Sequence, residues 1–377
     1  MLNHVDALCA LEHPYRADAD GDRLFDAAMR ELSHYHCEHT PGYRHWLQAN
    51  GLDAAALDGL DGLDDWSRLP PLFANYFKRQ LVVSAAGQDA LELTSSGTTG
   101  QKSRMRYDAR SLGAAQSMVD RIFRHYGWDT PQQPCNYLLL SYEPAGAITL
   151  GTAYTDQFLC KYAPVNQACY ALRHNGHGNE FDPFGVIRAL QDFAEQGLPV
   201  RMLGFPAFLW FALERMRELG LPPLQLHPES LVFLGGGWKT HADRAIPKAE
   251  LYRRLGEQLG IPDARCRDGY GAVEHPVPYV ECERHRFHLP SYARAVIRDT
   301  ASLRPQPYGA AGFLNLLSPY ITSSPAHSIV MGDLAVLHPA ESCGCGLATD
   351  WFELLGRAGT SKSRSCAVAA SELIKES

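Results

Sequence analysis

The densest run of groups able to hold an anion is Thr94-Ser-Ser-Gly-Thr-Thr-Gly-Gln-Lys-Ser103. Gly97 and Gly100 let the backbone wrap closely around a ligand. Ser95, Ser96, Thr98 and Thr99 add hydroxyls to the amide N–H groups, and successive donors of this kind cradle phosphate oxygens. Lys102 adds a positive charge. The GxxxxGK[ST] spacing of a Walker loop is absent. An apolar run, Ala90-Leu-Glu-Leu93, precedes the loop, and the extended pattern Arg104-Met-Arg-Tyr107 follows it. A Thr/Gly loop between two extended segments points to nucleotide phosphates gripped by a fold other than that of the P-loop.

Two further groups of residues could do chemistry. Cys282-x5-His288 and Cys343-x-Cys345 offer three thiolates and one imidazole, a set that suits tetrahedral structural Zn2+. His285 is an alternative ligand, and four unliganded residues are the other reading. The pairs are far apart in sequence, so the fold must bring them together. Cys366 follows Ser361-Lys-Ser-Arg-Ser365, where Lys362 and Arg364 would lower the thiol pKa and favour the thiolate. The remaining cysteines are scattered and read as buried small apolar residues; no disulfide framework is expected. His174 and His177 sit in a Gly/Asn-rich stretch and read as a solvated loop.

The elements that must position these groups follow from periodicity. Residues 21–37 carry an amphipathic helical pattern, and Leu69-Pro-Pro-Leu72 breaks any helix. Residues 136–141, 200–204, 230–235 and 264–268 read as short buried strands. Helices over 182–197, 206–219 and 247–259 alternate with them, which implies a parallel sheet with right-handed crossovers. Tyr142-Glu-Pro144, Gly204-Phe-Pro206, Gly235-Gly-Gly-Trp238 and Gly269-Tyr-Gly-Ala-Val-Glu274 are each expected just past a strand's carboxyl end, where open α/β sheets bind ligands. The glycine triplet would let a flat base approach, Tyr270 could stack on it, and Glu274 could hold Mg2+ between phosphates. From about residue 290 the pattern turns to short strands and turns.

The chain carries 35 Lys plus Arg against 42 Asp plus Glu, a formal charge of −7. No basic excess suits nucleic acid and no polybasic run suits a membrane surface. The absence of a signal-peptide pattern and of a long apolar span leads to a cytoplasmic expectation.

The loop Thr94–Ser103, Gly235-Gly-Gly-Trp238, Tyr270-Gly-Ala-Val-Glu274, Met331-Gly-Asp333-Leu and Gly356-Arg357 together resemble the motifs of the adenylate-forming superfamily. That superfamily includes acyl-CoA synthetases, peptide-synthetase adenylation domains and luciferases. Within it the chain most resembles the acyl-protein synthetases, the long-chain fatty-acid–luciferin component ligases, and next the phenylacetate-CoA-ligase-like enzymes. The resemblance implies an α/β adenylate-forming domain of parallel sheets flanked by helices over residues 1–355. A small β-rich subdomain would occupy about 280–355, and residues 356–377 would form a short tail in place of a C-terminal domain.

It also implies ATP and Mg2+ as cofactors and residue roles. Ser95–Lys102 would embrace the β,γ-phosphates. Gly235, Gly236 and Gly237 would flank the adenine, and Tyr270 and Gly271 would pack on it. Glu274 would bind Mg2+, while Asp333 and Arg357 would contact the ribose. Some phenylacetate-CoA-ligase-like proteins hold zinc with the Cys/His spacing seen here. In acyl-protein synthetases a C-terminal cysteine like Cys366 accepts the acyl group. The substrate would be a fatty or aryl acid, its pocket walled by Phe205, Phe208 and Trp210, and the acyl group would pass to a protein partner. Alternatives are an acyl- or aryl-CoA ligase, a stand-alone activator serving a carrier protein or an amine, and a non-catalytic nucleotide-binding module. Val273 replaces the Thr of the usual motif, and Lys362 is the nearest candidate for the lysine that typical members carry in the missing domain.

Overall fold

The computed structural model describes residues 2–85, 90–95, 102–144 and 151–358. They fall into two compact units. The first is built from residues 1–95, 101–125 and 272–377, the second from 96–100 and 126–271.

In chain order the first unit opens with helices α1 (Asn3–Cys9), α2 (Ala19–His39), α3 (Tyr43–Ala49) and α4 (Gly62–Trp66). Asp18 caps α2 by accepting from the Gly21 N–H at 2.8 Å, which satisfies one of the orphan donors of a helix start. The proline pair then ends helix formation and strand β1 (Leu72–Phe73) begins. A single 3-10 turn, Ala74–Lys78, follows. Strands β2 (Leu91–Thr94) and β3 (Arg104–Tyr107) form an antiparallel ladder on either side of the hydroxyl-rich loop. Glu92 ties the ladder by ion pairs to Arg104 and Arg106. Helix α5 (Ala109–His125) closes this stretch.

The second unit holds β4 (Cys135–Tyr142), α6 (Gly151–Leu159), β5 (Val165–His174), β6 (Asn179–Phe181), α7 (Pro183–Gln196), β7 (Val200–Gly204), α8 (Pro206–Glu218), β8 (Leu231–Gly235), α9 (Lys248–Leu259) and β9 (Cys266–Ala272). Strands β9, β8, β7, β4 and β5 lie side by side in parallel, as the alternating pattern requires, and β6 pairs antiparallel to β5. Helices α7, α8 and α9 bury Leu190, Phe193, Leu209, Leu213, Leu255 and Leu259 against the apolar strands. Both α7 and α9 end on a left-handed glycine, Gly197 and Gly260, the usual helix stop.

Back in the first unit run β10 (His275–Val280), β11 (Phe287–His288), β12 (Arg294–Arg298), β13 (Ala311–Leu317), β14 (Ser328–His338) and β15 (Trp351–Arg357). The order β11-β15-β14-β13-β12 is antiparallel, and β1 adds parallel to β14 through Leu72–Ile329 and Phe73–Val330. This is the β-rich part expected from the sequence. The irregular stretch 318–327 inside it is buried throughout. Its polar groups are satisfied one by one, as burial demands: Thr322 N donates to Ser111 Oγ at 2.9 Å, and Ser84 N donates to Ser323 O at 2.9 Å.

Strand β9 is longer than its sequence suggests. Gly269, Tyr270 and Gly271 lie in the strand itself, not in a loop past it. Gly269 pairs with Gly235, and a Cβ at Gly269 would come within 2.7 Å of the Phe233 ring. Gly269 therefore makes room for the Phe233 ring, and Gly269 to Ala272, expected just past the strand's carboxyl end, lie inside the strand.

Candidate functional site

Glu274 lies two residues past the end of β9 and is 6% exposed. Burial raises its pKa above the usual carboxylate range; Ser103, its own backbone N–H, Arg357 and Lys78 pull in the opposite direction. The segment is held by Tyr107, whose buried hydroxyl donates to the Val273 carbonyl. Ser103 is fully buried. Its N–H donates to Ser95 Oγ at 2.9 Å, and Ser95 N donates to the Ser103 carbonyl at 3.0 Å. This pair draws together the neck of the hydroxyl-rich loop. Lys102, next to Ser103, is exposed. Ser96, Gly97, Thr98, Thr99 and Gly100 lie outside the described residues, as do Lys362, Arg364 and Cys366.

Asp333 on β14 stands opposite Arg357 on β15, so the ladder register brings together two residues that are distant in sequence. The Arg357 guanidinium lies over Gly332, its Nε 3.6 Å from where a Cβ at that position would sit.

Lys78 is a cation that the sequence reading missed. It ends the 3-10 turn packed against β14 and β3, is half-buried, and sends its charge toward Glu274. Phe77, 1% exposed, anchors the turn. A single Lys after a proline break gives no signal alone; only the pairing of Leu72–Phe73 with β14 carries it there.

In the second unit Gly235 ends β8, and Gly236 and Gly237 follow with φ of +73° and +65°, a region glycine enters freely. Tyr142 at the end of β4 meets Phe205, which in turn meets Phe208 on α8, with ring centroids 5.8 and 6.1 Å apart. Trp210 does not join them. It packs under the Arg254 guanidinium of α9, 5.6 Å from its ring centroid. Position 210 is two residues from 208, which puts it on the far side of α8. Phe211 takes its place, 5.0 Å from His241 and 4.1 Å under Arg244. His174 and His177 are exposed, around the turn joining β5 to β6.

The Cys/His group is assembled. The ligand atoms of Cys282, His288, Cys343 and Cys345 all lie within 4.8 Å of one another. Cys282 Sγ is 3.6 Å from Cys343 Sγ, and Cys345 Sγ is 3.3 Å from His288 Nε2. His288 Nδ1 donates to the Thr349 carbonyl at 2.6 Å, which fixes the ring and leaves Nε2 free to ligate. The Arg284 and Leu347 N–H groups point at the sulfurs of Cys282 and Cys345. Burial and the neighbouring thiols of Cys345 and Cys282 push the Cys343 thiol up to about 12. Donor set and geometry both fit zinc.

Among solved structures, the chain superimposes on an open conformation of 2-hydroxyisobutyryl-CoA ligase in complex with 2-HIB-AMP and CoA. The TM-score is 0.66, with 15% identity, covering 95% of this chain and 80% of that one. The same ligase in its postadenylation state also matches with a TM-score of 0.66, covering 92% and 71%. These likenesses establish the fold. A long-chain-fatty-acid–luciferin-component ligase of Vibrio harveyi is 21% identical over 353 residues, 93% of this chain and 88% of that protein. The family described as acyl-protein synthetase, LuxE, matches residues 4–375. Fold, ordered motifs and a match over nearly the whole sequence agree: this chain belongs to the LuxE acyl-protein synthetase family and is an ATP-dependent carboxylate-activating ligase.

Proposed function

We propose that the chain activates a long-chain fatty acid as its acyl-adenylate and passes the acyl group to the Cys366 thiol and then to a protein partner. The observation that carries the first step is the gathering of Glu274, Arg357, Lys78 and Ser103, from four stretches of the first unit, behind the neck of the hydroxyl-rich loop. The fatty-acid assignment rests on family membership and on the luciferin-component ligase relative.

The carboxylate oxygen of the substrate attacks the α-phosphorus of ATP; that bond forms as the bond to the β-phosphate oxygen breaks and pyrophosphate leaves. Ser95 through Lys102 hold the leaving phosphates. Gly235, Gly236 and Gly237 flank the adenine, Tyr270 and Gly271 pack on it, and Asp333 and Arg357 hold the ribose. A buried carboxylate whose pKa burial raises fits a divalent cation, and Glu274 would bind Mg2+, which supplies charge neutralisation to the phosphates. In the second step the Cys366 thiolate attacks the acyl carbon and AMP leaves, giving a thioester. Cys282, His288, Cys343 and Cys345 would hold a structural zinc away from this chemistry.

The test is labelling with radioactive fatty acid plus ATP. The wild type should release pyrophosphate and carry a hydroxylamine-sensitive label. Cys366→Ser should keep pyrophosphate release and lose the label. A label that survives in the variant, or consumption of CoA with no protein labelling, would remove Cys366 from this role.

A further inference from the structure

In the second unit's sheet, β6 covers only part of the outer edge of β5. Its register spans Leu172–His174, and the Asp182 N–H takes the Ala171 carbonyl on the same side at 2.9 Å. No described strand pairs with the outer edge over residues 165–170. Backbone groups turn to alternate sides along a strand, so Gln167 and Cys169 point their N–H and C=O the same way as Ala171, to this open edge. Val165, Asn166, Gln167 and Ala168 are all exposed. An amide network holds the strand in place from within. Asn136 Nδ2 donates to Gln196 Oε1 at 2.8 Å, Asn166 Nδ2 to Asn136 Oδ1 at 2.8 Å, and Gln196 Nε2 to Gln167 Oε1 at 3.0 Å.

An open edge is a template for another strand, and soluble proteins commonly guard it with charge or proline. From Val165 to Leu172 there is neither. Two of the most exposed large apolar side chains flank the edge instead. Val165 begins it and is 50% exposed; Phe184, 54% exposed, lies two residues past Asp182. Exposed charge resumes only at the ends, with Lys161 before the edge and Arg173 and Glu180 beyond it.

We infer that this edge joins a second copy of the chain, β5 pairing antiparallel with β5 about a two-fold axis near Ala168. Such an axis sets Gln167 opposite Cys169 of the second copy, and Cys169 opposite its Gln167, so the outward backbone groups of both strands are satisfied. The small Ala168 side chains meet at the axis. Val165 falls opposite Ala171 of the second copy, beside the Asp182 turn, and comes against Phe184. Lys161 of each copy lies toward Glu180 of the other. The chain carries a formal charge of −7, which opposes close approach of two copies in general, but at this edge no charge has to be buried. Self-pairing covers both Val165 and both Phe184 side chains at once, which is why the occupant is a second copy.

Sedimentation equilibrium of the full chain tests this. The wild type should pass from monomer to dimer as concentration rises through the micromolar range, and go no further. Val165→Lys and Phe184→Ser, both at exposed positions, should each raise the dimer Kd at least about tenfold and leave the Tm of dilute protein unchanged. Combining Val165→Lys with Phe184→Glu should recover much of the lost association, since opposite charges then meet across the two-fold axis. A wild type still monomeric at about 100 µM would leave the edge to some other extended segment or to none, and would overturn the inference. So would a dimer whose Kd neither single variant alters, association that continues past two copies, or a double variant no better than Val165→Lys alone.

Discussion

At the Cys/His cluster every donor atom already meets the others within 4.8 Å, with backbone N–H groups and the Thr349 carbonyl supporting them. At Glu274, in the same unit, one buried carboxylate feels Arg357 and Lys78 while its pKa remains raised. In the first arrangement four donor atoms converge on one another; in the second a single carboxylate is buried with cations nearby and its pKa stays raised. Under the proposed roles the difference has a reason: a structural metal centre can be completed in advance, whereas a centre that turns substrate over would keep its strongest interactions for the ligand that comes and goes.

The sharpest way to break that contrast is to remove one group from each. Glu274→Ala should cut acid-dependent pyrophosphate release by at least about tenfold, or about 1.4 kcal/mol of transition-state stabilisation. Its Tm should hold or rise, because an incompletely paired buried charge is lost. Cys343→Ser should do the reverse. Bound zinc, about one per chain in the wild type by metal analysis, should disappear and Tm should fall by several degrees. Chelation of the wild type should reproduce that fall. A fully folded, active, zinc-free preparation would end the structural-zinc reading.

A smaller effect separates Lys78 from a surface lysine. Lys78→Met should lower pyrophosphate release about threefold to tenfold, with little change in Tm, and Lys78→Arg should restore much of it. Full activity in Lys78→Met would dismiss this cation from the Glu274 site.

The smallest effect is on pH. Burial lowers the pKa of His36 to about 4 and that of His275 to about 3, from 6.5. Both fold as neutral rings, so the unfolded chain binds more protons below 6.5. Stability should be flat above that value. It should fall as pH drops from 6.5 toward 4, by up to about 1.4 kcal/mol per unit for each histidine. His36→Gln should flatten the slope, as measured by denaturant unfolding at pH 7 and pH 5. An unchanged slope would show that His36 is not protonated on unfolding.

Much of this was legible in the sequence, for a physical reason. Strands at 135–142, 200–204 and 231–235 and the helices between them announce themselves by local period and by Asp182, Pro183, Gly197 and Gly260 at their ends. The Cys282–Cys345 set was legible because few residue types bind zinc. Lys78 was not, since its place depends on burial and on which strands lie beside it. Trp210 was misplaced because the reading fixed which residues follow Gly204 but not which face of α8 each occupies.

The pairing of β1 with β14 also sets a timetable. Tyr126–Gly271 is one continuous stretch and can collapse as soon as it leaves the ribosome. Leu72 and Phe73 must wait for Ile329 and Val330, and His36 and Tyr43 must wait for Ile321 and His327. At typical elongation rates that delay is on the order of tens of seconds. For that interval α2 can pack on α1, α3 and α4, but buried polar groups such as His36 and Tyr43 lack the partners that hold them in the finished fold.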